Sequence, residues 1–154
     1  MSLTEKQAKV IASKVFKKIS NPEEREYRIM HAKAVKETAL ILAEGRKFDE
    51  NVLSIAAWLH DIGYSISKEN HAKHSLDLLK KYELDEKLKD CILNHGTDAN
   101  PKTQEGTIFQ LADKACILNQ DILKLLIKQG IKKQDISFVR NMSEKACVLL
   151  DSFV

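Results

Sequence analysis

Residues 52–61 read VLSIAAWLHD. A mostly apolar run goes straight into His60-Asp61, and Gly63 follows almost at once. The run is too short to cross a membrane, which needs roughly 18 apolar residues. It has the length and spacing of a buried helix, expected from Asp49 to about Asp61. At about 100° per residue, His60 shares a face with Leu53, Ala56 and Ala57. The apolar helix therefore drives a polar end into the interior. An unpaired carboxylate there costs several kcal/mol or more, and a buried imidazole also needs a partner. The stretch sets both the fold class and the question of what His60 and Asp61 meet.

The same 3.6-residue spacing recurs in both directions along the chain. Glycine and proline are scarce, at 5 and 2 in 154 residues, and strand-type alternation is absent. The expectation is an all-α bundle of about seven to eight helices. A first helix is expected over 4–19. A second starts at Asn21 as cap, with Pro22 at the first helical position and Glu23 and Glu24 set against the helix dipole, and stops at Gly45. A fourth is expected over 70–82. A fifth follows Asp85 and ends near His95-Gly96, and a sixth covers about 103–119. Two further helices are parted by Gly130. With no repeat or linker, residues 1–154 are expected to form a single domain, with a motif-bearing core at about 25–125 and the C-terminal helices of 120–154 packed on it. Met1-Ser2-Leu3 is expected to be a cloning remnant.

The other polar residues fall on inner faces too. His31 lines up with Tyr27, Ala34, Val35, Thr38 and Leu42; His95 with Leu88, Cys91 and Ile92; Asp113 with Phe109, Cys116 and Ile117. A lone histidine on an apolar face is usually a hydrogen-bonded core residue, and a lone aspartate usually anchors a loop. The conjunction is what matters: such groups on four separate helices can offset their burial jointly by surrounding a cation. His71 lies on the side of Ser75, Leu78 and Tyr82, whereas His74 lies nearer Asp77 and Lys81. His71 is the expected ligand and His74 a neighbour in contact with substrate. Cys91, Cys116 and Cys147 are expected to be small core fillers, and Trp58 and Phe109 packing residues. The lysine-rich stretch 124–133 reads as a solvated face.

Composition excludes several classes. Hydrophobic residues are 44% and charged residues 31%, as in ordinary globular proteins. A net charge of +3 from 25 basic and 22 acidic groups does not argue for nucleic-acid or membrane partners. Three cysteines without CxxC spacing read as reduced thiols, so a cytoplasmic location is expected. The N-terminus shows no apolar signal region.

His31, then His60-Asp61 in WLHDIGY, then Asp113 in QLADK resembles the HD superfamily of metal-dependent phosphohydrolases over about residues 25–125. PKTQEGTIFQLADK and ENHAKHS are similar to segments of small stand-alone HD proteins, the latter placing His71 four residues before Ser75. His95 in LNHG resembles a further histidine of the two-metal branch. The resemblance implies metal held by His31, His60, Asp61 and Asp113. It implies a second metal through His71 and His95, with Asp61 between the two. Manganese, magnesium, iron, cobalt and nickel all occur in the family, and mixed N/O ligation suits such ions.

The implied activity is hydrolysis of a small phosphate ester or nucleotide by a metal-activated water. The cations would lower the pKa of a water and neutralise charge on the phosphate oxygens. Asp61, His60 and His74 are the catalytic candidates. Lys73 and Lys114 are helper candidates that also read as surface residues, and Thr38 is a candidate for orienting a ligand. Many relatives follow HDIG with a basic residue. Here Tyr64 stands in that place, and Lys68 could compensate. The alternatives are a di-iron oxygenase of HD type, a non-catalytic nucleotide-binding sensor, and a purely structural bundle. The long C-terminal helices could pack in a homodimer.

Overall fold

Side-chain caps decide where the helices begin. In a computed structural model, which describes residues 3–153, eight α-helices and no strand occur among the described residues. They are α1 (Glu5–Phe16), α2 (Pro22–Ala43), α3 (Glu50–Leu59), α4 (His71–Leu78), α5 (Glu86–Leu93), α6 (Gln104–Ala115), α7 (Gln120–Lys128) and α8 (Lys133–Phe153). Short 3₁₀ turns cover Ile62–Ser65 and Cys116–Leu118. Thr4 and Gln7 form a reciprocal capping box on α1. The Asn21 side chain accepts from the amides of Glu23 and Glu24 at 2.9 and 3.2 Å, with Pro22 at the first helical position. Asp49, Asp85, Thr103 and Asn119 cap α3, α5, α6 and α7 in the same manner.

Three expected helices end early. α1 stops at Phe16, and Ile19 folds back into the core. α4 stops at Leu78, because the chain turns to drive Leu79 fully inside. α6 gives way to a 3₁₀ turn at Cys116, whose thiol donates to the Asp113 carbonyl at 3.1 Å. At Gly45 and Gly130 the backbone enters the left-handed region, with φ of 72° and 78°, which stops α2 and separates α7 from α8.

The central helix is α3. Every residue from Val52 to Leu59 is buried, so the helix is covered all round. It packs against α1, α2 and α5, while α6 lies across α2 and α5. The main core contains Phe16, Leu53, Leu59, Ile62, Ile92 and Phe109. α8 closes over α6 through a second cluster of Leu111, Ala115 and Ala146. Met1 and Ser2 lie outside the described residues, and Leu3 is buried in the main core. Cys91 and Cys116 are buried as expected; Cys147 is exposed, because its place on α8 looks outward. Trp58 is buried and donates to Glu5 at 3.3 Å, and Phe109 packs edge-on against His60.

Candidate metal centre

α3 ends where its polar pair begins. His60 keeps helical backbone angles as the C-cap, and Asp61 opens the 3₁₀ turn. That turn lies so close to α4 that a Cβ on Gly63 would sit 1.9 Å from the His71 carbonyl oxygen and 2.8 Å from the Ser75 nitrogen. The Ser75 hydroxyl donates to the His60 carbonyl at 2.6 Å and accepts from the Gly63 amide at 2.8 Å. A small hydroxyl residue four positions after His71 thus fixes the roll of α4 and turns His71 inward.

Six side chains converge. His31 from α2 lies 3.2 Å from His60, measured between their Nε2 atoms. The Nε2 atoms of His71 and His95 are 2.9 Å apart. Asp61 sits between the two pairs. Its Oδ1 is 3.5, 3.4 and 3.6 Å from Nε2 of His60, His71 and His95, and its Oδ2 is 3.6 Å from that of His31. Asp113 Oδ1 lies 3.0 Å from His31 and 3.5 Å from His60. Two overlapping triads have ligand atoms all within 4.8 Å of one another: His31, His60 and Asp113, and His60, Asp61 and His95.

The tautomers make this convergence chemically specific. Nδ1 of His60, His71 and His95 lies 3.0, 3.0 and 2.7 Å from the carbonyls of Ala57, Lys68 and Ile92. A carbonyl only accepts, so each Nδ1 carries the hydrogen and each Nε2 presents a lone pair. At 2.9 Å, the facing lone pairs of His71 and His95 repel unless something positive lies between or beside them. A donor set of neutral imidazoles and carboxylates, each imidazole oriented by its other nitrogen, fits a divalent transition metal.

The electrostatics agree. Burial lowers the pKa of His95 to about 4, with the neighbouring His60 adding to the effect, so the ring is neutral at ordinary pH. Burial opposes ionisation of Asp61, yet His60, Arg28 and His31 together hold its carboxyl well below the usual range. Burial likewise opposes ionisation of Asp113, and the charge on Lys114, with His31 and His60 alongside, outweighs it.

A cavity of about 300 Å³ opens onto this cluster. Its walls hold residues that sequence reasoning missed. Arg28 donates through Nε to Glu24 and through Nη1 to Asp61 Oδ2, both at 2.7 Å, and its guanidinium lies 3.5 Å from the centre of the Tyr64 ring. The spacing offered a signal: Arg28 stands three residues before His31, on the same face of α2. Phe138 and Met142 of α8 also line the cavity. No local pattern marks them, because α8 reaches the site through tertiary packing.

Other expectations change. His74 and Lys73 are not among the residues that line the cavity, and both lie near enough to Asp77 to favour its ionised form. Lys114 is no surface residue: it is buried, lines the cavity and contacts Asp113. Thr38 orients no ligand, since its hydroxyl donates to the Ala34 carbonyl of its own helix at 2.8 Å. Cys116 does more than fill space, with Sγ 3.5 Å from His31 Nδ1. Tyr64 contributes a ring rather than a charge. It packs on His71, and burial with the nearby Asp61 charge pushes its hydroxyl up to about 12.

The arrangement is that of a known family. Residues 28–116 match the family model described as HD domain, more than half of the chain, and the protein belongs to the HD-domain family. A deoxyguanosinetriphosphate triphosphohydrolase-like protein of Caldanaerobacter subterraneus subsp. tengcongensis is 27% identical over 158 residues, covering 83% of this chain and 47% of that protein. A tRNA (cytidine(56)-2'-O)-methyltransferase of Thermoplasma volcanium is 32% identical over 71 residues, or 46% of this chain and 21% of that protein. The chain therefore spans less than half the length of either relative. No solved structure matches it.

Proposed function

We propose that the chain acts as one HD domain that hydrolyses a small phosphorylated substrate, a nucleotide being the leading class. The observation that carries the reading is the set of imidazole lone pairs and carboxylates facing one another at the base of a cavity whose wall also holds Arg28, Lys68 and Lys114. Anionic ligands and cationic walls in one pocket suit a metal-bridged phosphate. The deoxynucleotide activity in the name of the first relative is consistent with it.

In this reading His31, His60, Asp61 and Asp113 would hold one divalent ion, and His71 and His95 would hold a second beside Asp61. When bound, the ions supply a lowered water pKa and neutralise charge on the phosphate oxygens. The protein groups do the rest. Carbonyls of Ala57, Lys68 and Ile92 keep three rings aimed inward. Arg28 fixes one oxygen of Asp61, and Lys114 keeps Asp113 ionised. In the overall reaction a water oxygen bonds to phosphorus, the ester P–O bond breaks, and the leaving oxygen takes up a proton.

The test is a phosphate-release screen over nucleotides and simple phosphate esters. It is run under anaerobic conditions with manganese, magnesium, iron, cobalt or nickel added in turn. Release of phosphate without oxygen is expected; turnover that requires iron and consumes oxygen would replace this reading with an oxygenase.

A further inference from the structure

Backbone carbonyls aim three of the converging histidines, and His31 is the fourth. Its Nδ1 faces a side chain instead, with Cys116 Sγ 3.5 Å away. Tyr27 stacks on the His31 ring, the centroids 5.7 Å apart and the planes 13° from parallel. Stacking fixes the plane of the ring, but it does not choose which nitrogen carries the hydrogen.

That choice decides what the inner edge of the ring can do. Nε2 of His31 lies 3.0 Å from Asp113 Oδ1 and 3.2 Å from His60 Nε2. A hydrogen on Nε2 would be donated to the carboxylate, and the ring would be closed to a cation. A hydrogen on Nδ1 leaves a lone pair on Nε2 beside Asp113, as ligation requires.

Cys116 is placed to make the choice. It caps the end of α6, three residues after Asp113, and opens the 3₁₀ turn. A thiol has one hydrogen, and this one is donated to the Asp113 carbonyl at 3.1 Å. The sulfur therefore turns lone pairs toward His31 and can only accept from its Nδ1. One buried side chain thus joins the backbone of one candidate ligand to the ring of another.

We infer that Cys116 is a positioning residue of the metal centre, its sulfur holding His31 in the tautomer that presents Nε2 to an ion. This rests on the metal-centre reading and extends it to a group behind one ligand. Sulfur is a weak acceptor, so the hold on His31 is softer than that of a carbonyl on the other three rings.

The test compares Cys116→Ala, which removes the acceptor, with Cys116→Ser, which keeps one. Two measurements are made on the full chain: calorimetric titration of cobalt into metal-free protein, and the ring nitrogen chemical shifts of His31 before metal is added. The wild type is expected to carry the His31 hydrogen on Nδ1. Cys116→Ala is expected to weaken cobalt binding about 10–100-fold, the usual cost of losing the partner behind a ligand, and to move the hydrogen toward Nε2. Cys116→Ser is expected to restore both readings. An alanine variant with wild-type cobalt affinity and an unmoved hydrogen would overturn the inference while leaving the metal centre intact. A serine variant no better than alanine would overturn it too, since the effect would then be one of packing. A wild type that binds no cobalt would overturn the metal centre, and the inference with it.

Discussion

At the scale of single residues, the site depends on positions where no larger atom fits. Gly63 is the clearest case, because the Cβ of an alanine would overlap the His71 carbonyl. Gly63→Ala must push α4 away from the turn that carries Asp61. Overpacking of this kind costs about 1–3 kcal/mol. We predict a lowered melting temperature and weaker metal binding in the same variant, checked by calorimetry and metal titration. Ser75→Ala acts by subtraction: it strips partners from the Gly63 amide and the His60 carbonyl, both buried. Its expected cost is about 1–3 kcal/mol, measured by chemical denaturation. If Ser75→Ala is neutral, the bridge is not what sets the roll of α4.

At the scale of elements, the loop between α5 and α6 is tied down by carboxylates. Asp90 accepts from the Lys102 and Thr103 amides at 2.9 and 2.8 Å, from the Thr103 hydroxyl at 2.7 Å and from Asn94 at 2.7 Å. Gly106 leaves room for that carboxylate, since a Cβ there would come within 2.2 Å of it. Glu105 accepts from the Asp49 amide and pairs with Lys87. Burial works against ionisation of both groups, but hydrogen bonds led by Thr103 for Asp90 and by Lys87 for Glu105 hold both below their usual values of 3.8 and 4.5. A carboxylate depressed in the folded state stabilises above its unfolded pKa, and that stability is lost as pH falls through the folded value. Stability is therefore expected to decline as pH drops below about 4.5, the upper of the two usual values. Asp90→Asn should flatten that acid limb, which urea titrations at stepped pH will reveal; an unchanged limb would mean that the loop is anchored elsewhere. Much at this scale was legible in sequence, because caps are local chemistry: Asn21-Pro22, Asp49 and Asp85 announce their helices. The early ends of α1, α4 and α6 were not legible, since burial of Ile19 and Leu79 overrides a helical pattern that continues past them.

At the scale of the whole molecule, α2, α3, α5 and α6 and the start of α4 bring His31, His60, Asp61, His71, His95 and Asp113 to one place. Helical phase put His31, His60, His95 and Asp113 on core-facing sides and favoured His71, and the family resemblance supplied Asp61 and the grouping of all six. Phase could not foresee Arg28 over Tyr64, nor Phe138 and Met142 in the cavity wall, because these depend on how helices cross. A metal bound only by the folded chain also stabilises it. At 100 times its dissociation constant the gain is about 2.7 kcal/mol, and about 2–4 °C per kcal/mol applies to a chain of this size. Chelation should then lower the melting temperature by roughly 5–10 °C, and adding metal back should restore it. The most direct test of the central claim is elemental analysis of the wild type and Asp61→Ala, both purified without chelator, with phosphate release measured on the same samples. The account predicts one or two equivalents of a divalent transition metal in the wild type, with metal and turnover lost together in the variant. An Asp61→Ala protein that keeps its full metal content and its turnover would contradict it.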